Sequence, residues 1–214
     1  MLRKRWTLAA VIWFLCLPAA QAQSIKDPDP LFQDSGTIDI LLVAPFSEIM
    51  SQRSTEDEFD GELHYSDDAG ITTELDIAVS VRGRFRLRKD ICPFAPLRLN
   101  FKKSQARGTL FHKQDKLKLV THCRTKSKLS EQFMLREYVA YLILNQLTDI
   151  SFRVRLLRVT YQDTDESVSQ HTAYGFFVEH KDRLAKRVGL KTIDVPRTRV
   201  SALEPRYLNL TSVF

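Results

Sequence analysis

Cysteine is scarce: the chain has three in 214 residues, and only Cys92 and Cys123 lie outside the first 22. A zinc site would need more ligands than these two. His112 and His122 could supply them, but their spacing fits no metal motif, so no metal is expected. No internal repeat or low-complexity tract appears, which argues against repeat architecture and disorder. The apolar run at 6–18 is shorter than the ~20 residues a membrane-spanning helix needs. Excess charge is small. Taking the three basic residues of the amino terminus from 32 leaves 29 against 26 acidic residues, poor grounds for nucleic-acid binding. Catalytic constellations are missing as well. Ser130, Ser151 and Ser169 have no nucleophile-elbow context, and no Ser-His-Asp arrangement is visible. Glu179 and His180 are neighbours on a strand and so point to opposite faces.

What is present begins with a leader. Arg3, Lys4 and Arg5 precede an uncharged apolar run from Trp6 to Pro18, and Ala20-Gln21-Ala22 offers small residues where a signal peptidase cuts. Residues 1–22 are therefore expected to be a signal peptide, the processed chain to start at Gln23, and the protein to be exported. Trp13, Phe14 and Leu15 are too large for a lipidation site at Cys16; an uncleaved anchor is the alternative. In an oxidising compartment Cys92 and Cys123 are expected to form a disulfide. It would close a loop of about 30 residues and add a few kcal/mol.

Residues 23–36 hold Asp27-Pro28 and Asp29-Pro30 and are expected to be an extended arm. Residues 37–46 are β-branched and apolar, a buried strand ended by Pro45; 47–60 are polar, a loop or short helix. Strands are expected at 62–65 and 74–82, joined by Asp67-Asp68-Ala69-Gly70 as a hairpin turn. In the second, Leu75, Ile77, Val79 and Val81 alternate with Asp76, Ala78 and Ser80, which puts one face in a core. The same period runs through 96–102 and 116–121. Residues 130–147 change to a helical period, with Ser130 as N-cap and Leu135, Val139, Leu142 and Gln146 on one stripe. Strands at 152–161 and 172–178 and a helix at 179–188 follow. The plan is α+β: an antiparallel sheet with one long helix packed on it, spanning 37–190, with 191–214 irregular until an apolar stretch at 208–214.

Arg82, Arg84, Arg86 and Arg88 alternate with Gly83, Phe85 and Leu87. On a strand all four guanidinium groups would share one face, where an anionic partner would relieve their repulsion. A phosphate-bearing ligand or an anionic envelope polymer is the functional expectation, and a solvated, charged sheet edge is the structural one.

The order of these pieces resembles the CotH-kinase-type (spore coat protein H-like) family of secreted atypical kinases. The resemblance rests on Val81-Arg82-Gly83-Arg84-Phe85-Arg86 as the family's Arg-Gly turn and Pro96-Leu97-Arg98-Leu99-Asn100-Phe101 as the strand after it. Leu110-Phe111 with Lys116-Leu117-Lys118-Leu119-Val120 follows. Leu135 to Leu142 matches the helix, and Tyr174-Gly175-Phe176-Phe177-Val178-Glu179 a later strand. It implies a kinase-like amino-terminal lobe in which helix residue Glu137 pairs a strand lysine that holds nucleotide phosphates. Lys102 is the first candidate for that lysine and Lys89 the second, with Glu179 lining the nucleotide edge. The family's metal-holding and catalytic acids lie further along than Phe214. The resemblance thus implies a truncated, catalytically incomplete lobe, with ATP and Mg2+ as cofactors only of a complete kinase.

Overall fold

The computed structural model describes residues 25–67, 69–193 and 199. The leader, its cleavage position and the apolar 208–214 stretch lie outside the described residues. Among the described residues no helix is long and apolar enough to cross a membrane.

Seven strands form where the sequence alternates: β1 (Ile38–Ala44), β2 (Phe59–Ser66), β3 (Thr72–Val81), β4 (Leu97–Phe101), β5 (Lys116–Val120), β6 (Val154–Asp163) and β7 (His171–Val178). Helix α1 (Phe46–Gln52) follows β1, the single turn α2 (Lys103–Ala106) follows β4, α3 (Lys128–Leu147) joins β5 to β6, and α4 (Lys181–Arg187) follows β7. The strands do not make the expected antiparallel sheet with a helix on one face. They close into a barrel in the order β1-β2-β3-β4-β5-β7-β6. The closing seam is parallel, Ile38 opposite Leu157 through Ala44 opposite Asp163, while the other neighbours are antiparallel. The chain is thus a mixed β-barrel and not the kinase-like lobe that the resemblance implied. The physical reason is the seam: pairing β1 with β6 satisfies the backbone groups that an open sheet would leave on two edges.

Inward-facing side chains fill the barrel. Leu42, Leu63, Val79, Leu99, Leu117 and Phe177 are fully buried, so the interior is a packed core with no channel. Residues before β1 belong to that core. A 3-10 turn at Pro30–Phe32 buries Leu31 and Phe32 under one end of the barrel, and Asp34 meets buried Arg155 of β6 at 3.0 Å. The expected arm is therefore a packed plug along part of its length.

Helix α3 is capped by Ser127, whose side chain accepts from the Ser130 amide; Ser130 itself is inside the helix. It lies on the outside of β6 and β7. There Met134 and Tyr138, with partly buried Leu135, Tyr141 and Leu142, cover Val120, Val154, Phe176 and Val178. The buried stripe is rotated from the one expected: Tyr138 and Tyr141 face inward and Val139 is 49 % exposed. Asn145 also faces inward, donating to the Ser151 hydroxyl at 2.9 Å and the Phe152 carbonyl at 2.8 Å. The far side of α3 exposes Leu129, Phe133, Val139, Ile143 and Leu147.

Candidate functional site

Strand β3 ends at Val81, and the run of arginines leaves the sheet there. Gly83 has φ of +107°, a backbone state that L side chains rarely adopt, and residues 85–87 form a 3-10 turn. The four guanidinium groups therefore do not share a strand face. Arg88 pairs with Asp90 at 2.8 Å in solvent, and Arg84 is exposed. Arg86 bonds Glu137 of α3 at 2.7 Å. Arg82 turns into a pocket of about 280 Å³ between the 82–96 loop, β5 and α3.

That pocket gathers Arg82, Arg86, Lys118, Glu137, Tyr141 and Phe152. The Arg82 amide bonds the Pro96 carbonyl at 2.8 Å, which anchors the loop, yet its guanidinium makes no hydrogen bond to a described residue. Burial lowers the Arg82 pKa, with Tyr141 and Glu137 opposing and Arg86 assisting. Burial also lowers Lys118, and Arg82 adds to this by repulsion. The Lys118 ammonium lies 5.7 Å from the Phe152 ring centroid, a cation–π contact in place of a carboxylate. Burial raises the Tyr141 pKa, and the Glu137 charge raises it further. Two cations held partly out of water, with the nearby carboxylate already bonded to Arg86, make a cradle for a compact anion.

The residues expected to form a nucleotide site are scattered. Lys102 lies at the end of β4 and pairs with Asp76 at 3.0 Å, both exposed. Lys89 is exposed in the loop after the arginine turn. Glu137 meets an arginine and no strand lysine. Glu179 is 2 % exposed and binds Arg187 of α4 through both carboxylate oxygens, at 3.1 and 3.0 Å. It ties the end of β7 to α4 and is shut off from solvent. Cys92 and Cys123 are joined by a disulfide, with Cα atoms 4.9 Å apart. This link and the bridge between Phe94 and Cys123 pin the 82–96 loop beside the end of β5.

Two further groupings escaped the sequence reading. Glu62 and His64 of β2 and Glu74 of β3 bring one potential ligand atom each within 4.8 Å of one another on the outer wall, with His64 Nε2 3.0 Å from Glu62. Three such ligands could hold a divalent metal, with water completing the shell. The signal was available: Glu-x-His on one strand puts both side chains on one face, and Glu74 stands directly opposite His64 across the hairpin. The second grouping is a cavity of about 570 Å³ at the barrel end remote from the amino-terminal plug, lined by Phe46, Phe94, Tyr161 and His171 among others. Its aromatic residues come from four separate segments, so no local motif marks it.

Fold and concavities define the class: a closed seven-stranded mixed barrel with a helix on its flank, a cationic side pocket and an aromatic end cavity. No family model, curated protein or solved structure matches the chain.

Proposed function

We propose that the protein is an exported, non-enzymatic binding module that takes an anionic ligand, a phosphate or carboxylate group, in the Arg82–Lys118 pocket. The observation that carries this is the half-buried Arg82 guanidinium, which has no hydrogen-bonded partner among the described residues, beside a Lys118 ammonium that faces the Phe152 ring and no carboxylate. Desolvated cations are costly unless paired, and an anion supplies the pair. The amino-terminal pattern and the Cys92–Cys123 disulfide support the exported setting. The nucleotide-lobe role is not needed, because Glu137 competes with an anion for Arg86.

Isothermal titration of the purified protein with inorganic phosphate and pyrophosphate at low salt tests this. Binding is expected to saturate, to weaken with added salt and to fall about tenfold or more in Arg82→Gln, the worth of one charge-assisted hydrogen bond. Glu137→Gln is expected to tighten binding, because it releases Arg86 and removes a repelling carboxylate. A nucleotide-lobe role for Glu137 demands the opposite sign. Absence of saturable binding, or an Arg82→Gln variant that binds like the parent, sinks the proposal.

A further inference from the structure

The end cavity joins features that a packed barrel end has no use for. Tyr161 is 1 % exposed and His122 2 % exposed, yet the Tyr161 hydroxyl, His122 Nδ1 and His171 Nε2 are buried without a hydrogen-bond partner. The three rings are mutual neighbours: Tyr161 stacks on His171 at 5.1 Å between centroids, and His122 lies 5.2 Å from His171 and 5.6 Å from Tyr161. Phe94 stacks on His122 at 4.9 Å, and Phe46 meets Tyr161 edge-on at 5.5 Å. Buried polar groups left without partners are rare in folded proteins; two of these three belong to cavity-lining residues, Tyr161 and His171, with His122 packed behind them, and they point to a missing occupant.

Charge narrows the occupant. Burial, followed by the neighbouring His171, lowers the His122 pKa to about 4, so this imidazole is neutral at physiological pH. Burial likewise lowers His171, while a hydrogen bond to the Ser169 backbone works the other way. Asp163 lines the cavity, but its carboxylate is spent on the Ser47 amide at 3.0 Å and on the Ser47 and Ser167 hydroxyls, so it does not wait for a cation. Lys126 stands exposed at the rim.

We infer that the barrel-end cavity binds an uncharged, planar aromatic molecule of one or two rings carrying a hydroxyl or ring N–H, a phenol or an indole. Its flat body lies among Phe46, Phe94 and Met50, and its polar edge completes the Tyr161 and His171 hydrogen bonds. This site is separate from the Arg82 pocket, and its occupancy does not depend on the anion.

Isothermal titration of the purified protein with 2-naphthol and indole, against naphthalene, tests it. Saturable 1:1 binding of 2-naphthol and indole is expected, with naphthalene at least tenfold weaker. Tyr161→Phe is expected to weaken 2-naphthol about tenfold and to leave naphthalene unchanged. Ser169→Trp, at an exposed rim position, is expected to abolish binding without moving the unfolding midpoint, which keeps the test decisive if Tyr161→Phe fails to fold. If neither probe binds the parent protein, or Ser169→Trp binds as well as the parent, the inference fails. It fails equally if a crystal soaked in 2-naphthol shows only a water bridging Tyr161 and His171.

Discussion

Removing the Glu179 carboxylate is expected to unfold this protein at markedly lower temperature. The side chains of Glu179 and Arg187 are each 3 % exposed, and the guanidinium also donates to the Ser151 carbonyl at 2.9 Å and the Asp149 carbonyl at 3.1 Å. Glu179 in turn accepts from the Arg153 amide at 3.1 Å. Five hydrogen bonds thus converge on one ion pair that ties β7, α4 and the turn after α3. Breaking a buried pair by deleting one partner costs about 3–5 kcal/mol, because the survivor's charge stays out of water. For a domain of this size that is a fall in Tm of about 6–20 °C. Glu179→Ala and Arg187→Met should each show it by circular dichroism and in urea. The double variant removes both charges and should cost about 2–3 kcal/mol less than the two single losses added. A loss below about 1 kcal/mol in Glu179→Ala, or strict additivity, refutes the clamp.

Three other outcomes follow from the geometry. His122 titrates near pH 4 when folded and near 6.5 when unfolded, so the unfolded chain binds the extra proton between these values. Stability is complete above pH 6.5 and falls by up to about 3 kcal/mol as pH drops to 4. The groups facing His122 are His171, Tyr161, Phe94 and Thr125, with Lys126 and Asp163 on the adjoining cavity wall. Urea midpoints of His122→Phe should depend less on pH than those of the parent, and equal dependence rejects the assignment. Gly61→Ala would set a Cβ 2.6 Å from the Val43 carbonyl oxygen, inside the β1–β2 pair, and should cost about 1–3 kcal/mol in thermal unfolding. Reducing the Cys92–Cys123 link, which spans 31 positions, should lower stability by about 3–4 kcal/mol, measured in urea with and without dithiothreitol.

Local periods were legible in the sequence and their closure was not. Leu75, Ile77 and Val79 alternate on β3 as they would in either an open sheet or a barrel. What decides between these is the pairing of Ile38–Ala44 with Leu157–Asp163, across more than a hundred residues and with no local trace. The strand period of β3 does not continue through Arg82–Arg88, because Gly83 breaks it with a positive φ. The stripe on α3 is ambiguous for another reason: Val139, Ile143 and Leu147 make the solvent side apolar as well, so hydropathy alone does not orient the helix. The anion pocket was half visible. Arg82 and Arg86 stand out in the sequence as part of the arginine run, whereas Lys118 sits in a strand whose outward positions read as ordinary solvated lysines. Tyr161, His122 and His171 could not be joined before the barrel brought three chain segments to one end.

The parallel seam sets the order in which this molecule can be assembled. During synthesis β1 emerges early with one flank bare, and its mate is made only after four intervening strands, two short helices and the whole of α3. Until residue 163 arrives, the strands already made leave two unpaired borders, and so late a pairing is expected to slow folding. A circular rearrangement that starts the chain just before β6 would make the seam early, and should shorten that vulnerable interval.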